Sequence, residues 1–181
     1  MSPIRIVIID DHMLVRDAWS MILNKDERFS VIAECGEALQ GVELCRQHRP
    51  DIVLLDINLP GMSGMDAVPL IRKFAPCTKI IGVSLHTQVA YVKKMMRSGA
   101  SGYITKNSHK EEMMDALMEV YEGRKFICGE IKDILATGMM KGETEEKNLN
   151  ALSVREIQII NFIRKGLSSK EIAQAISISV K

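Results

Sequence analysis

Five residues stand out by type and place: Asp10 and Asp11, Asp56, Ser84 and Lys106. Each lies at the end of a short, mostly apolar run. Ile4 to Ile9 precedes the aspartate pair, Ile52 to Leu55 precedes Asp56, Lys79 to Val83 precedes Ser84, and Gly102 to Thr105 precedes Lys106. Such runs suit strands buried on both faces of a parallel sheet. Parallel strands share one carboxyl edge, where ligands bind in open α/β sheets. Three carboxylates, a hydroxyl and an ammonium therefore meet in one region. Clustered carboxylates repel one another unless a cation sits among them, and Mg²⁺, which takes one or two carboxylates, waters and phosphate oxygens, fits that need. A carboxylate is also a nucleophile able to form an aspartyl phosphate. Asp56, on the middle run, is the best placed for it. Lys106 can neutralise an incoming phosphoryl group as a point charge, and Ser84 can donate a hydrogen bond to the same oxygens. Phosphoryl transfer asks mainly for positioning and electrostatic stabilisation of this kind. Taken singly, Asp10-Asp11 reads as a helix cap, Ser84 as a strand-end residue and Lys106 as a solvated charge. Their repetition at successive strand ends joins them.

The segments between these runs must hold the strand ends in register. Leu14, Val15, Ala18, Trp19, Ile22 and Leu23 recur at helical spacing. Phe29 to Ala33 reads as a second strand, followed by a helix from Ala38 to His48 that Pro50 stops. Helices are predicted from about Met65 to Phe74 and from Val89 to Arg97. A further helix opens at Ser108, with Glu111 completing a capping box, and closes at Gly123. Five strands alternating with five helices imply a doubly wound α/β domain with helices on both faces of a parallel sheet.

Composition narrows the setting. The chain has 181 residues, 46% of them hydrophobic, and a formal net charge of +1. That length suits one ordinary domain plus a small second one. The near-zero charge leaves any nucleic-acid contact to a local basic patch. The cysteines at 35, 45, 77 and 128 form no C-x-x-C pair and no zinc pattern, so free thiols in a reducing cytoplasm are expected. The first residues lack a basic signal-peptide region, and no apolar stretch approaches the ~20 residues of a membrane span. A cytoplasmic location without membrane contact is expected. Met95, Met96, Met113, Met114 and Met118 suit core positions on the last two helices, with an adaptable interface as the alternative.

The organisation predicted is one domain over 1–123, a linker over 124–150 and a small helical segment over 151–181. Within the linker, Ile131, Ile134 and Leu135 could form a short helix, whereas Lys141 to Asn148 is polar throughout. In the last segment Ser153 and Glu156 form a capping box before Ile157, Ile160 and Ile163. Gly166 ends that helix, and a second contains Ile172, Ala173 and Ile176.

The pattern Ile9-Asp10-Asp11-His12, Leu55-Asp56-Ile57-Asn58-Leu59-Pro60-Gly61-Met62-Ser63-Gly64, Val83-Ser84 and Gly99-Ala100-Ser101-Gly102-Tyr103-Ile104-Thr105-Lys106 resembles response-regulator receiver domains over about residues 4–123. The resemblance implies a flavodoxin-like, five-stranded sheet of order 2-1-3-4-5. It implies that Asp56 accepts a phosphoryl group from a sensor histidine kinase. Asp10, Asp11 and Asp56 would hold Mg²⁺ with the backbone carbonyl of Asn58. Ser84 and Tyr103 would report the phosphorylated state, the hydroxyl moving to the phosphoryl group and the ring swinging inward. The added charge and acceptors favour one loop conformation over another, which a population shift requires. Apart from phosphorylation and autodephosphorylation at Asp56, no enzymatic activity is implied.

Leu152-Ser153-Val154-Arg155-Glu156 and Gly166-Leu167-Ser168-Ser169-Lys170-Glu171-Ile172-Ala173 resemble the helix-turn-helix of LuxR-type (NarL/FixJ) regulators. In that family the recognition helix begins just after the position of Ile178-Ser179, so an incomplete DNA-reading head is expected. Lys170 and Lys181 remain as candidate phosphate contacts. A phosphorylation-controlled transcription factor, with DNA as partner in a longer protein and homodimerisation on phosphorylation, is the reading this resemblance favours. A receiver-only phosphorelay module dimerising through its C-terminal helices is the alternative. A phosphatase-like enzyme is disfavoured, because no second acid lies near Asp56 in sequence to serve the leaving group.

Overall fold

A computed structural model of the chain describes residues 2–141 together with Ile159, Phe162, Glu171, Ile172 and Gln174. The elements run β1 (Ile4–Ile9), α1 (Met13–Asn24), β2 (Phe29–Cys35), α2 (Ala38–His48), β3 (Ile52–Asp56), α3 (Gly64–Phe74), β4 (Lys79–Ser84), α4 (Val89–Ser98), β5 (Gly102–Thr105), α5 (Lys110–Tyr121), β6 (Phe126–Ile127) and α6 (Gly129–Lys141). All strand pairs are parallel, in the order β2-β1-β3-β4-β5-β6. The strand order reverses between β1 and β3, which opens a crevice at their carboxyl ends.

The apolar runs dictate this layering. β3 is buried at all five positions, and β5 at all four. Helices on both faces supply the cover, with Leu23, Val42, Cys45, Val68, Ile71, Met95 and Leu117 all buried against the sheet. Backbone approach is close at two glycines. A Cβ on Gly41 would lie 2.2 Å from Ile9 Cδ1, and one on Gly64 would lie 1.9 Å from the Asp56 carbonyl oxygen. The second contact seats the start of α3 directly on the end of β3. Ser63 caps that helix, its hydroxyl accepting from Asp66 N at 3.2 Å while donating to the Asp66 carboxylate at 2.7 Å. Gly99, at φ +111°, takes the left-handed conformation that ends α4.

The sheet has six strands where five were expected. The sixth, Phe126–Ile127, is only two residues long and pairs Gly102 with Phe126 and Tyr103 with Ile127. Two residues are too few for any period to register, and this pair falls where a linker was predicted. Beyond it, Cys128 and Ile131 are fully buried in the same core, and α6 follows. The start of α5 also differs. The helix opens at Lys110 after His109, without a side-chain cap, and the Ser108 hydroxyl lies 3.4 Å from Thr105 Oγ1 instead. Met95 and Met113 are buried, and Met96, Met114 and Met118 pack against the core at partial burial. Cys35, Cys45 and Cys128 are buried free thiols and Cys77 is exposed. Burial pushes the Cys45 thiol up to about 12, which keeps it protonated and unreactive.

Lys170, Lys181 and the Ser153–Glu156 capping box lie outside the described residues. Glu171, Ile172 and Gln174 are helical, with Ile172 buried. Among the described residues no helix is long and apolar enough to cross a membrane.

Candidate functional site

At the β1/β3 crevice the strand ends bring the expected polar groups together. Asp10 (3% exposed) follows β1, Asp56 (1%) ends β3 and Ser84 (0%) ends β4. Lys106 follows β5 and reaches across, its Nζ lying 2.7 Å from Asp10 Oδ2 and 2.9 Å from Asp56 Oδ2. Asp11 is more open, and its carboxylate lies 2.8 Å from His12 Nδ1. The His12 backbone N–H donates to Asp10 Oδ1 at 2.9 Å, which fixes the first carboxylate from below. Asp56 Oδ1 accepts from the Asn58 backbone N–H at 3.0 Å. One carboxylate oxygen of Asp56 thus faces the lysine and the other faces the turn into α3.

Ligand atoms of Asp10, Asp11, His12 and Asp56 all lie within 4.8 Å of one another. Hard carboxylate oxygens dominate this set, the donor type that suits Mg²⁺. Three carboxylates beside one ammonium also leave net negative charge for a divalent cation to neutralise.

Burial raises the Asp56 carboxyl above its ordinary value, and nearby Asp10 adds to the rise, while Lys106 and the Asn58 N–H oppose it. For Lys106 burial works against the charged form, but Asp56 and Asp10 outweigh it and the ammonium is held more firmly than usual. The two groups form a mutually dependent pair. Removing Lys106 leaves Asp56 enclosed and uncompensated, whereas Lys106 without Asp56 keeps the Asp10 carboxylate at 2.7 Å.

Ser84 and Tyr103 are also adjacent. The Ser84 hydroxyl oxygen accepts from the His86 N–H at 3.0 Å. Tyr103 stands inside the domain, fully buried, and its hydroxyl donates to the His86 carbonyl at 2.7 Å. Burial raises the Tyr103 phenol well above its ordinary range, with the Ser84 hydroxyl a hydrogen-bonded neighbour, so it remains a neutral donor.

Two contributors escape sequence reasoning. His86 meets both Ser84 and Tyr103 through its peptide, lies 2.9 Å from the Asn58 amide nitrogen through Nε2 and stacks on Tyr91 at 4.4 Å. Thr105, buried beside Lys106, donates to Glu130 of α6 at 3.0 Å. His86 acts from the β4–α4 loop and Thr105 from the end of β5, and the only signal in the sequence is proximity to Ser84 and Lys106.

Comparisons with known proteins agree with this architecture. The response regulator receiver domain family matches residues 6–118. Oxygen regulatory protein NreC of Staphylococcus epidermidis (strain ATCC 12228 / FDA PCI 1200) is 35% identical over 184 residues, covering 98% of this chain and 84% of that protein. Response regulator UvrY of Escherichia coli (strain K12) is 34% identical over 180 residues, covering 98% and 82%. Among solved structures, a LuxR-family two-component response regulator from Aurantimonas sp. SI85-9A1 superposes with a TM-score of 0.73 at 32% identity, covering 77% of this chain and 99% of that one. A carboxylate pocket at the switch point of a parallel sheet and matches that extend past the receiver into LuxR-type regulators lead to one conclusion: this chain belongs to the response regulators of two-component signal transduction.

Proposed function

We propose that Asp56 is the phosphoacceptor of this regulator and that Asp10, Asp11, Asp56 and the Asn58 carbonyl hold the Mg²⁺ that supports the transfer. The observation that carries this reading is the enclosed Asp56 carboxylate, 2.9 Å from Lys106 and within a cluster of acidic oxygens suited to a divalent cation. Asp56 attacks the phosphorus of a phosphohistidine or a small acyl phosphate. A carboxylate O–P bond forms, and the bond to the donor's imidazole nitrogen or acyl oxygen breaks, with its electron pair leaving on the donor. The Lys106 ion pair favours the ionised nucleophile and then screens the charge gathering on the phosphoryl oxygens. Bound Mg²⁺ supplies further neutralisation of those oxygens.

Ser84 is placed to answer the new group. Its hydroxyl proton can turn to a phosphoryl oxygen while its oxygen keeps the His86 N–H. Because His86 also takes the Tyr103 hydrogen bond, a shift of Ser84 loads directly onto the β4–α4 loop and the ring of Tyr103. That gives the phosphoryl group different interaction energy with the two loop positions, the requirement for a population shift. A sensor histidine kinase is the donor, and the output is DNA binding by a LuxR-type helix-turn-helix, with homodimerisation on phosphorylation. Lys170 and Lys181 are candidate phosphate contacts on that output.

Intact mass after incubation with acetyl phosphate tests the chemistry. One phosphoryl group gained by the wild type with Mg²⁺, and none by Asp56→Asn, is the expected result. Equal gain by both proteins removes Asp56 from the role.

A further inference from the structure

Arg16 is a cation of the site region that the account above does not use. It lies in the first turns of α1, half-buried, and its guanidinium turns back toward the end of β1. Nη1 donates to the Asp10 backbone carbonyl at 2.5 Å. The same nitrogen passes over Gly36, where a Cβ would lie 3.4 Å from it and 3.6 Å from Asp11 Cα. Arg16 Nε is buried without a hydrogen-bond partner among the described residues. An arginine confined in this way, with one donor left unsatisfied, costs free energy that a merely packed side chain would not need. The return is local: the peptide joining the two aspartates is held by a fixed charge.

That peptide decides where the carboxylates go. Asp10 is directed to Lys106 at 2.7 Å, while Asp11 is directed to His12 at 2.8 Å and toward the open edge. The Asp10 N–H is already tied to the Cys35 carbonyl at 3.1 Å. With Arg16 on the carbonyl, both polar groups of the Asp10 backbone are fixed. The guanidinium also adds a positive charge next to the Asp10–Asp11 peptide, which limits repulsion among three carboxylates before any cation binds.

We propose that Arg16 is a positioning residue for the divalent cation: it orients the Asp10–Asp11 pair through the Asp10 carbonyl and so sets the Mg²⁺ affinity without touching the metal. The inference rests on the magnesium reading given above. Groups that orient metal ligands typically contribute about 10- to 100-fold in affinity.

The chain carries its own probe. Trp19 is the only tryptophan, and with Asp10, Asp56, Val83 and Met113 it lines a small void beneath the cluster. The experiment is a Mg²⁺ titration followed by Trp19 emission, together with the rate of phosphorylation by acetyl phosphate at each Mg²⁺ concentration. Wild type, Arg16→Met and Arg16→Lys are compared, each after a thermal melt. Arg16→Met is expected to need about tenfold more Mg²⁺ for half-saturation in both readouts. Its rate at saturating Mg²⁺ should stay within about twofold of wild type, because the nucleophile and Lys106 are unchanged. Arg16→Lys, which keeps a cationic donor, is expected to recover most of the affinity. A half-saturation point unchanged or lowered in a folded Arg16→Met overturns the proposal, as does a Lys variant as weak as the Met one. A wild type with no Mg²⁺ response brings down the magnesium reading itself, and this inference with it.

Discussion

At the residue scale the central object is a buried carboxylate balanced by one lysine. Asp56 is enclosed, and its carboxyl is raised by burial before other influences act. A group whose folded-state pKa is raised contributes stability that is fully present below its unfolded value and lost as pH rises through the folded one. The ionised Asp56 therefore weighs against the fold at neutral pH without metal, and that cost is relieved as pH falls toward 4. Asp56→Asn is expected to be more stable than wild type at pH 7 in chelator, with the gap closing as pH falls into the ordinary carboxylate range. Thermal melts across that range check it; a variant less stable than wild type at pH 7 contradicts the electrostatic account. Lys106 works in the opposite window, since its raised value withdraws stability only in strongly alkaline solution. Asp10, Asp11, Asp56, Ser84 and Lys106 were legible in the sequence because a polar residue ending a continuous apolar run is conspicuous, and parallel strands gather such ends. His86 and Arg16 were not. Their roles come from where two loops fold back, and no spacing rule connects Arg16 to the Asp10 carbonyl.

At the element scale two contacts tie the site to its surroundings. Gly64 opens α3 against the Asp56 backbone, with no space for a side chain there. Gly64→Ala should displace the β3–α3 turn and cost about 3 kcal/mol, the upper range for overpacking, with phosphorylation slowed more than its stability loss explains. Denaturant unfolding beside the acetyl phosphate rate measures both; an Ala variant as stable as wild type would mean the turn yields freely. The second contact runs from Thr105 to Glu130, reinforced by Gly129 N–H donating to Glu112 at 2.7 Å and Cys128 N–H to the Tyr103 carbonyl at 3.0 Å. It fastens the first turn of α6 one residue from Lys106 and two from Tyr103. Thr105→Val removes one hydrogen bond worth about 1 kcal/mol, so amide exchange in the first turn of α6 should quicken roughly fivefold while β1 and β3 keep their protection. Uniform change across the sheet would contradict a local latch. The five longer strands and their helices were readable from apolar runs and helical spacing. β6 was not, because two residues carry no period and its place is fixed by pairing with β5. The α5 cap differs as well: the Ser108 hydroxyl lies 3.4 Å from Thr105 Oγ1 and the helix opens at Lys110 after His109.

At the scale of the whole molecule the chain joins a six-stranded α/β layer to an acidic edge suited to a divalent cation. A ligand that binds only the folded state raises stability by mass action, about 2.7 kcal/mol at a hundredfold excess over its dissociation constant. Mg²⁺ should therefore raise the melting temperature of the wild type progressively. Asp11→Asn, which removes an accessible carboxylate without disturbing the Lys106 pair, should blunt that rise. A melt insensitive to Mg²⁺ in both proteins would argue against a divalent site here. Similarity to NreC and UvrY runs along 98% of the chain, well past the receiver match at residues 6–118.

The central claim is that the phosphoryl group resides on Asp56, and acyl phosphate trapping tests it most directly. The protein is phosphorylated with acetyl phosphate and Mg²⁺, reduced with borohydride to convert a phosphorylated aspartate to homoserine, and mapped by peptide mass. Homoserine at position 56, dependent on Mg²⁺ and absent without the phosphodonor, is the result this account predicts. Conversion at Asp10 or Asp11 with position 56 intact would contradict it.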